Sequence, residues 1–339
     1  RGSTFWFTVR LQKGGTIELV PSRFAGAAER FSGHLLLCED DPVNQLVAKL
    51  HLNALGLTVD VVDNGTAAVA ATARKHYDMA MLDMLLPDMD GLADSYRLIY
   101  YDQRGRGRSA EGVRAEDVTL ASDIADLDRV REHHKLARTA VLGHSWGTVL
   151  ALEYALRHPD RVSHLILMNP APASAADYQQ FRKERREKMG ADLDRIRAVA
   201  ATDAFKAGDP DAVVAYYRIH FKAALARPED YERLMAIMKP SFTTSEAILK
   251  ARHVEDRLMA DTWSRDGYDV LPKLRSLNIP TLVIYGDRDF IPSFVAEHIA
   301  QALPAARFVT MKDCGHFAYL ECPEPVRKEI DGFFRNTRR

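Results

Sequence analysis

The pentapeptide Gly143-His144-Ser145-Trp146-Gly147 lies between an apolar strand pattern and an apolar helix pattern. A serine in such a turn is held in a strained conformation with its Oγ lifted above the sheet, and glycines on both sides are expected for clearance. The same turn puts Ser145 at a helix N-terminus, where the dipole and the Trp146 N–H can meet a developing oxyanion. A serine hydroxyl is a weak nucleophile without a base, and the base needs an acid to orient it. Both follow in chain order. Gly286-Asp287-Arg288-Asp289 closes one apolar strand, and Gly315-His316 follows the next. Asp289 is read as the acid, because the second carboxylate of such a loop points back at the histidine; Asp287 is read as a turn former. His144 is read as structural, and Cys314 as small packing. His133, His134, His158 and His164 have no catalytic context.

A second constellation is acidic. Glu39-Asp40-Asp41 ends one short apolar run and Asp83 ends another. If both runs are strands of one parallel sheet, their ends open on the same edge. The carboxylates of Glu39, Asp40 and Asp83 can then converge on a hard cation such as Mg²⁺.

The elements that must carry these residues alternate between strand and helix, which predicts a parallel sheet. Strands are predicted at 35–38, 58–62, 79–82, 97–101, 139–142, 162–168, 281–285 and 307–311. Between them the patterning predicts helices, including 120–135, 146–157, 293–303 and 325–334. Residues 172–270 hold no good strand and read as a charged helical insertion. The 339 residues are 47% hydrophobic and 27% charged, which excludes a disordered chain. Lys and Arg number 46 against 47 Asp and Glu, so net charge gives no reason to bind nucleic acid or an acidic membrane. No apolar run reaches the ~18–20 residues of a membrane span. Three cysteines, Cys38, Cys314 and Cys322, make no disulfide framework and point to a reducing, cytoplasmic compartment. The chain opens at Arg1 with no signal peptide and reads as a piece of something longer.

From about Tyr96 to Phe334 these residues resemble the α/β-hydrolase family. Asp102-Gln103-Arg104-Gly105-Arg106-Gly107-Arg108-Ser109 and Trp146 resemble its proline iminopeptidase branch. The resemblance implies an acyl-enzyme mechanism with Ser145, His316 and Asp289 as triad and Trp146 as oxyanion donor, and no cofactor. It also implies a helical cap at 172–270 and a small-molecule or short-peptide substrate. Acidic cap residues grip the substrate amine in aminopeptidases; Glu184, Glu187, Glu229 and Glu232 are candidates.

Residues 34–92, with Pro42-Val43-Asn44-Gln45, Asp83, Pro87 and Asp88-Met89-Asp90-Gly91, resemble a response-regulator receiver, a flavodoxin-like β-α-β-α-β unit cut short. This implies Asp83 as phospho-acceptor, Glu39 and Asp40 on Mg²⁺, and a histidine kinase as partner. Residues 1–33 resemble a histidine-kinase tail and linker. The expected architecture is therefore α/β with a mostly parallel sheet: tail at 1–33, truncated receiver at 34–92, capped hydrolase at 93–339. The hydrolase lacks its first strands, including the one that carries a His-Gly oxyanion turn. A receiver strand, 35–38 or 79–82, is expected to fill the sheet, and activity is expected to be weak. The alternatives are a phospho-accepting module that gates the hydrolase and a non-functional gene fusion.

Overall fold

The computed structural model describes residues 34–38, 58–62, 79–82, 95–238 and 244–337, together with Lys49, Asn53 and Leu92. The kinase-like tail at 1–33, the helices predicted between the first strands, and Glu39, Asp40 and Asp83 lie outside the described residues. The chain divides into two compact units, Arg1–Leu85 and Leu86–Arg339.

In the first unit β1 (His34–Cys38), β2 (Thr58–Val62) and β3 (Met79–Leu82) form a parallel sheet in the order β2-β1-β3. Leu37 pairs with Val61 on one side and with Met81 on the other. Leu35 and Leu37 share one face by the two-residue period of a strand and are buried with Val59.

The second unit is built on a parallel sheet ordered β4-β5-β6-β7: Thr139–His144, Val162–Met168, Thr281–Gly286 and Ala306–Met311. Every residue of β6 is buried, as expected of a strand covered on both faces. The helix α1 (Leu120–His133) precedes β4, and α2 (Trp146–Arg157) joins β4 to β5. Between 172 and 270 the described residues hold α3 (Ala175–Met189), α4 (Ala191–Ala201), α5 (Asp203–Lys206), α6 (Pro210–Lys222), α7 (Tyr231–Met238) and α8 (Ser245–Asp261), and no strand. The base of this insertion is stitched by an antiparallel bridge between Ser174 and Asp269 and by the Ala175 N–H donating to the Tyr268 carbonyl at 2.8 Å. After it come α9 (Leu271–Leu274), α10 (Ser293–Ala302), α11 (Ala318–Glu321) and α12 (Pro323–Thr337). Among the described residues no helix is long and apolar enough to cross a membrane.

Three expectations are corrected. The run at 97–101 is not a strand. Its apolar residues are used as side chains instead: Leu98 and Tyr100 pack on the core beside α12, and Tyr96 donates to Asp331 at 2.8 Å and meets the Phe334 ring at 4.8 Å. A strand needs a ladder neighbour, and the only described strand pairing with β4 is β5. Nor does a receiver strand complete the hydrolase sheet, since β1 pairs with β2 and β3 in a sheet of its own. Finally, Cys314 and Cys322 are joined in a disulfide. The cysteine count therefore no longer argues for a reducing compartment.

Candidate active site

Ser145 caps the N-terminus of α2 with φ 53° and ψ −121°. A non-glycine residue at positive φ is strained, and here it goes with a close approach between the end of β4 and the first turn of α2. A Cβ on Gly143 would lie 2.3 Å from the Gly147 carbonyl oxygen, so only glycine lets strand and helix approach this closely. Gly147 is different: a Cβ there meets nothing within 4 Å. Clearance thus accounts for the first glycine of the motif and not the second. The Ser145 carbonyl accepts the Thr148 hydroxyl at 2.6 Å, and the Ser145 N–H donates to Met168 O at 3.1 Å, which ties the turn to β5. Trp146 follows at the first position of α2, where backbone N–H groups have no intrahelical acceptor.

The structure brings the other two residues to Ser145. His316 Nε2 is 2.9 Å from Ser145 Oγ, and His316 Nδ1 is 2.9 and 3.0 Å from the two Asp289 carboxylate oxygens. Both side chains are buried. Asp287 is exposed and only a loose neighbour of Arg288, at 3.9 Å. Asp289 also accepts the Ile291 N–H at 2.9 Å and the Asn169 amide at 2.8 Å. These two donors fix the carboxylate that faces His316 Nδ1. Asn169 was not singled out from sequence. It sits at positive φ one residue past β5 and is fully buried, and its amide also donates to Gly315 O at 3.1 Å.

Further contacts hold the His316 loop in place. The His316 N–H donates to Ala224 O in the helical insertion at 2.7 Å, while the carboxylate of Glu321 accepts Gly315 N–H at 2.8 Å and Ala226 N–H at 2.7 Å. One buried carboxylate thereby clamps the insertion to the histidine loop; burial pushes its pKa up. His144 donates Nε2–H to His316 O at 2.7 Å, and its ring lies 4.9 Å from the His316 ring. Burial, then the neighbouring His316, lowers its pKa to about 3, so it is a neutral prop under the site. The disulfide partner Cys314 precedes Gly315, so the cross-link anchors the same loop.

An arc of aromatic rings runs from the serine's neighbour to the histidine. Trp146 meets Trp263 edge-on at 5.3 Å, and Trp263 stacks on Tyr178 at 4.4 Å. Phe181 lies 5.9 Å from Phe290, whose ring meets His316 at 4.7 Å. Tyr178 and Phe181 come from α3 in the insertion. Of the acidic candidates there, Glu184 accepts from Gln180 at 2.7 Å, Glu232 pairs with Arg218 at 3.3 Å, and Glu187 and Glu229 are exposed. None of them has a described contact with Ser145, His316 or Asp289. Among the described residues no group of three or more His, Cys, Asp or Glu side chains is placed to hold a metal ion.

A parallel sheet with a serine turn at the end of β4, an acid after β6 and a histidine after β7 is the arrangement of one fold class. The chain belongs to the α/β hydrolase fold family, whose model matches residues 88–323, and it is a hydrolase. A model of the response regulator receiver domain matches residues 35–102. Among curated proteins, the AB hydrolase superfamily protein YclE of Bacillus subtilis is 25% identical over 244 residues, 69% of this chain and 81% of its own length. A proline iminopeptidase of Heyndrickxia coagulans is 25% identical over 253 residues, covering 73% and 84%. Among solved structures, the putative non-heme bromoperoxidase BpoC of Mycobacterium tuberculosis aligns with a TM-score of 0.54 at 19% identity, over 90% of this chain and 93% of that one. At that identity the match speaks for the fold alone.

Proposed function

We propose that this hydrolase acts through an acyl-enzyme on a small ester or amide, with Ser145, His316 and Asp289 as catalytic residues. The observation that carries the reading is the unbroken hydrogen-bonded run from Ser145 Oγ through His316 to Asp289. Ser145 Oγ attacks the substrate carbonyl carbon as its proton passes to His316 Nε2. Asp289 holds the imidazole by Nδ1 and balances the imidazolium charge. The oxyanion is met by the Trp146 N–H at the start of α2. His316 then gives the proton to the leaving group. A water repeats the sequence on the acyl-enzyme and frees Ser145.

No His-Gly turn precedes Tyr96 in the sequence, so no turn of that kind supplies a second oxyanion donor. Loss of one such donor raises the barrier by about 3–4 kcal/mol, and we expect turnover to be correspondingly weak. The curated relatives named proline iminopeptidase make an N-terminal prolyl amide the first substrate to test. A small ester is the second.

The test is labelling of Ser145 by a fluorophosphonate, with Ser145→Ala as control, beside turnover of proline arylamide and 4-nitrophenyl esters. Labelling that persists in Ser145→Ala sinks the mechanism. Labelling as fast as in an intact relative sinks the impairment.

A second reading rests on the receiver match and on the parallel pairing of β1 with β3, which sets Cys38 beside Leu82. Asp83 would accept a phosphoryl group from a histidine kinase, with Glu39 and Asp40 holding Mg²⁺. No incorporation from acetyl phosphate in the presence of Mg²⁺ removes this reading.

A further inference from the structure

Residues 181–186, Phe-Arg-Lys-Glu-Arg-Arg, look like a solvated helix face, and most of them are: Arg182, Lys183 and Arg186 are exposed. Arg185 is not. It follows Tyr178 and Phe181 at helical spacing on the face of α3 that carries the aromatic arc. Its guanidinium lies 5.6 Å from the centroid of Phe290, the ring that meets His316 at 4.7 Å. Only one of its N–H groups meets an acceptor among the described residues: Nη2 donates to Nδ1 of His220 at 2.9 Å. Its Nε is buried with no partner. No carboxylate among the described residues pairs with it; the charged neighbour is another cation, Arg182.

His220 cannot supply the missing charge. Burial, Arg185 and His316 lower its pKa to about 3, so its ring is neutral. Burial works against the charge on Arg185 as well, yet a guanidinium does not give up its proton. A half-buried cation one ring away from His316, with unused donors and no counter-ion among the described residues, is therefore poised for an anion from outside the chain.

We propose that Arg185, braced by His220 and Phe290, forms a carboxylate-binding subsite, and that the preferred substrates carry a carboxylate on the acyl or the leaving group. The planar fork of a guanidinium suits a carboxylate, and the low-dielectric surroundings strengthen the pair. The same cation disfavours a free N-terminal amine, so of the two substrates named above the subsite favours the small ester over the prolyl amide. This deepens the acyl-transfer reading by naming its substrate class, and only its turnover arm depends on that reading.

The binding arm uses the full chain carrying Ser145→Ala, titrated calorimetrically with monomethyl glutarate and with dimethyl glutarate. The monoanion is expected to bind about 10-fold tighter or better, as a charge-assisted pair does over a neutral one. That preference should shrink with added salt, vanish with Arg185→Gln and partly return with Arg185→Lys. Equal binding of the two esters, binding of neither, or a preference that survives Arg185→Gln overturns the proposal. The comparison of two ligands on one protein stands even if Arg185→Gln folds poorly. The turnover arm then locates the carboxylate, using 4-nitrophenyl butyrate, mono-4-nitrophenyl glutarate and 4-carboxyphenyl butyrate. The ratio of kcat/KM for one of the two acids over the neutral ester should exceed unity and collapse with Arg185→Gln. Carboxylate-selective binding without turnover of any ester would sink the acyl-transfer reading and leave the subsite standing.

Discussion

Gly143 and Gly147 flank the same serine and should respond to alanine with opposite sign. At Gly143 the new Cβ would stand 2.3 Å from Gly147 O, 2.5 Å from its carbonyl carbon and 2.8 Å from Thr148 N. Carbon contacts relax at about 3.5 Å, so the start of α2 must retreat by roughly 1 Å. The atoms in the way are backbone, and no rotamer change relieves the clash. Overpacking of this kind costs about 3 kcal/mol at the upper end of its range. For a unit of this size that lowers Tm by about 6–12 °C, at ~2–4 °C per kcal/mol. The retreating segment carries Ser145 and Trp146, and a misplacement of about 1 Å at a reacting group costs on the order of 100-fold in rate.

At Gly147 the added methyl meets nothing within 4 Å and the residue lies inside α2. Alanine there removes the backbone entropy penalty of a helical glycine, about 0.5–1 kcal/mol. Tm should rise by about 1–4 °C. Thermal unfolding followed by circular dichroism, with fluorophosphonate labelling on the same samples, measures both. A Gly143→Ala protein that melts and labels like the parent would refute the steric reasoning. So would a Gly147→Ala protein that loses as much stability as Gly143→Ala.

Two further outcomes follow from the site. Asn169→Ala removes a buried amide from the Asp289 carboxylate; a hydrogen bond to a charged group is worth about 1.5–3 kcal/mol, so kcat/KM should fall roughly 10- to 100-fold, and an unchanged value would dismiss Asn169 as a positioning residue. Acid should destabilise the hydrolase unit well above the carboxylate range. His144 and His220 stay neutral when folded, down to a pKa of about 3, but in the unfolded chain they take up protons below the ordinary 6.5. Stability present above that value is therefore lost as pH falls, by about 2 kcal/mol per histidine at pH 5. Glu321, whose pKa is raised, offsets part of this loss because its folded form favours the proton. A urea midpoint that does not drop between pH 7.5 and pH 5, or that drops equally in His144→Gln, would contradict this account.

Much of the site is written in short-range pattern. An apolar run ending in Gly-His-Ser-Trp-Gly, another ending in Gly-Asp-Arg-Asp and a third followed by Gly-His are local signals. Strands and helices at those places follow from periodicity alone. What periodicity cannot tell is whether a strand-like run finds a ladder neighbour. The segment at 97–101 has the composition of a strand and is none, because hydrogen bonding across a sheet is a property of two segments. Cys314 and Cys322 likewise show no pairing in their spacing; a turn and the short α11 bring them together.

The sequence by itself determined which side chains were candidates for the chemistry and the order in which the chain delivers them, because each sits at the end of a locally encoded strand. Tertiary structure decided what surrounds them. Asn169 braces Asp289 across 120 residues of chain, and Glu321 reaches back 95 residues to Ala226. Arg185 is the clearest case. In the sequence it is one more cation in a charged run. Only the packing of α3 over Phe290 leaves it without a carboxylate partner among the described residues and sets it one ring away from His316. Burial and long-range contact change what a side chain costs and attracts, and neither can be read from its neighbours along the chain.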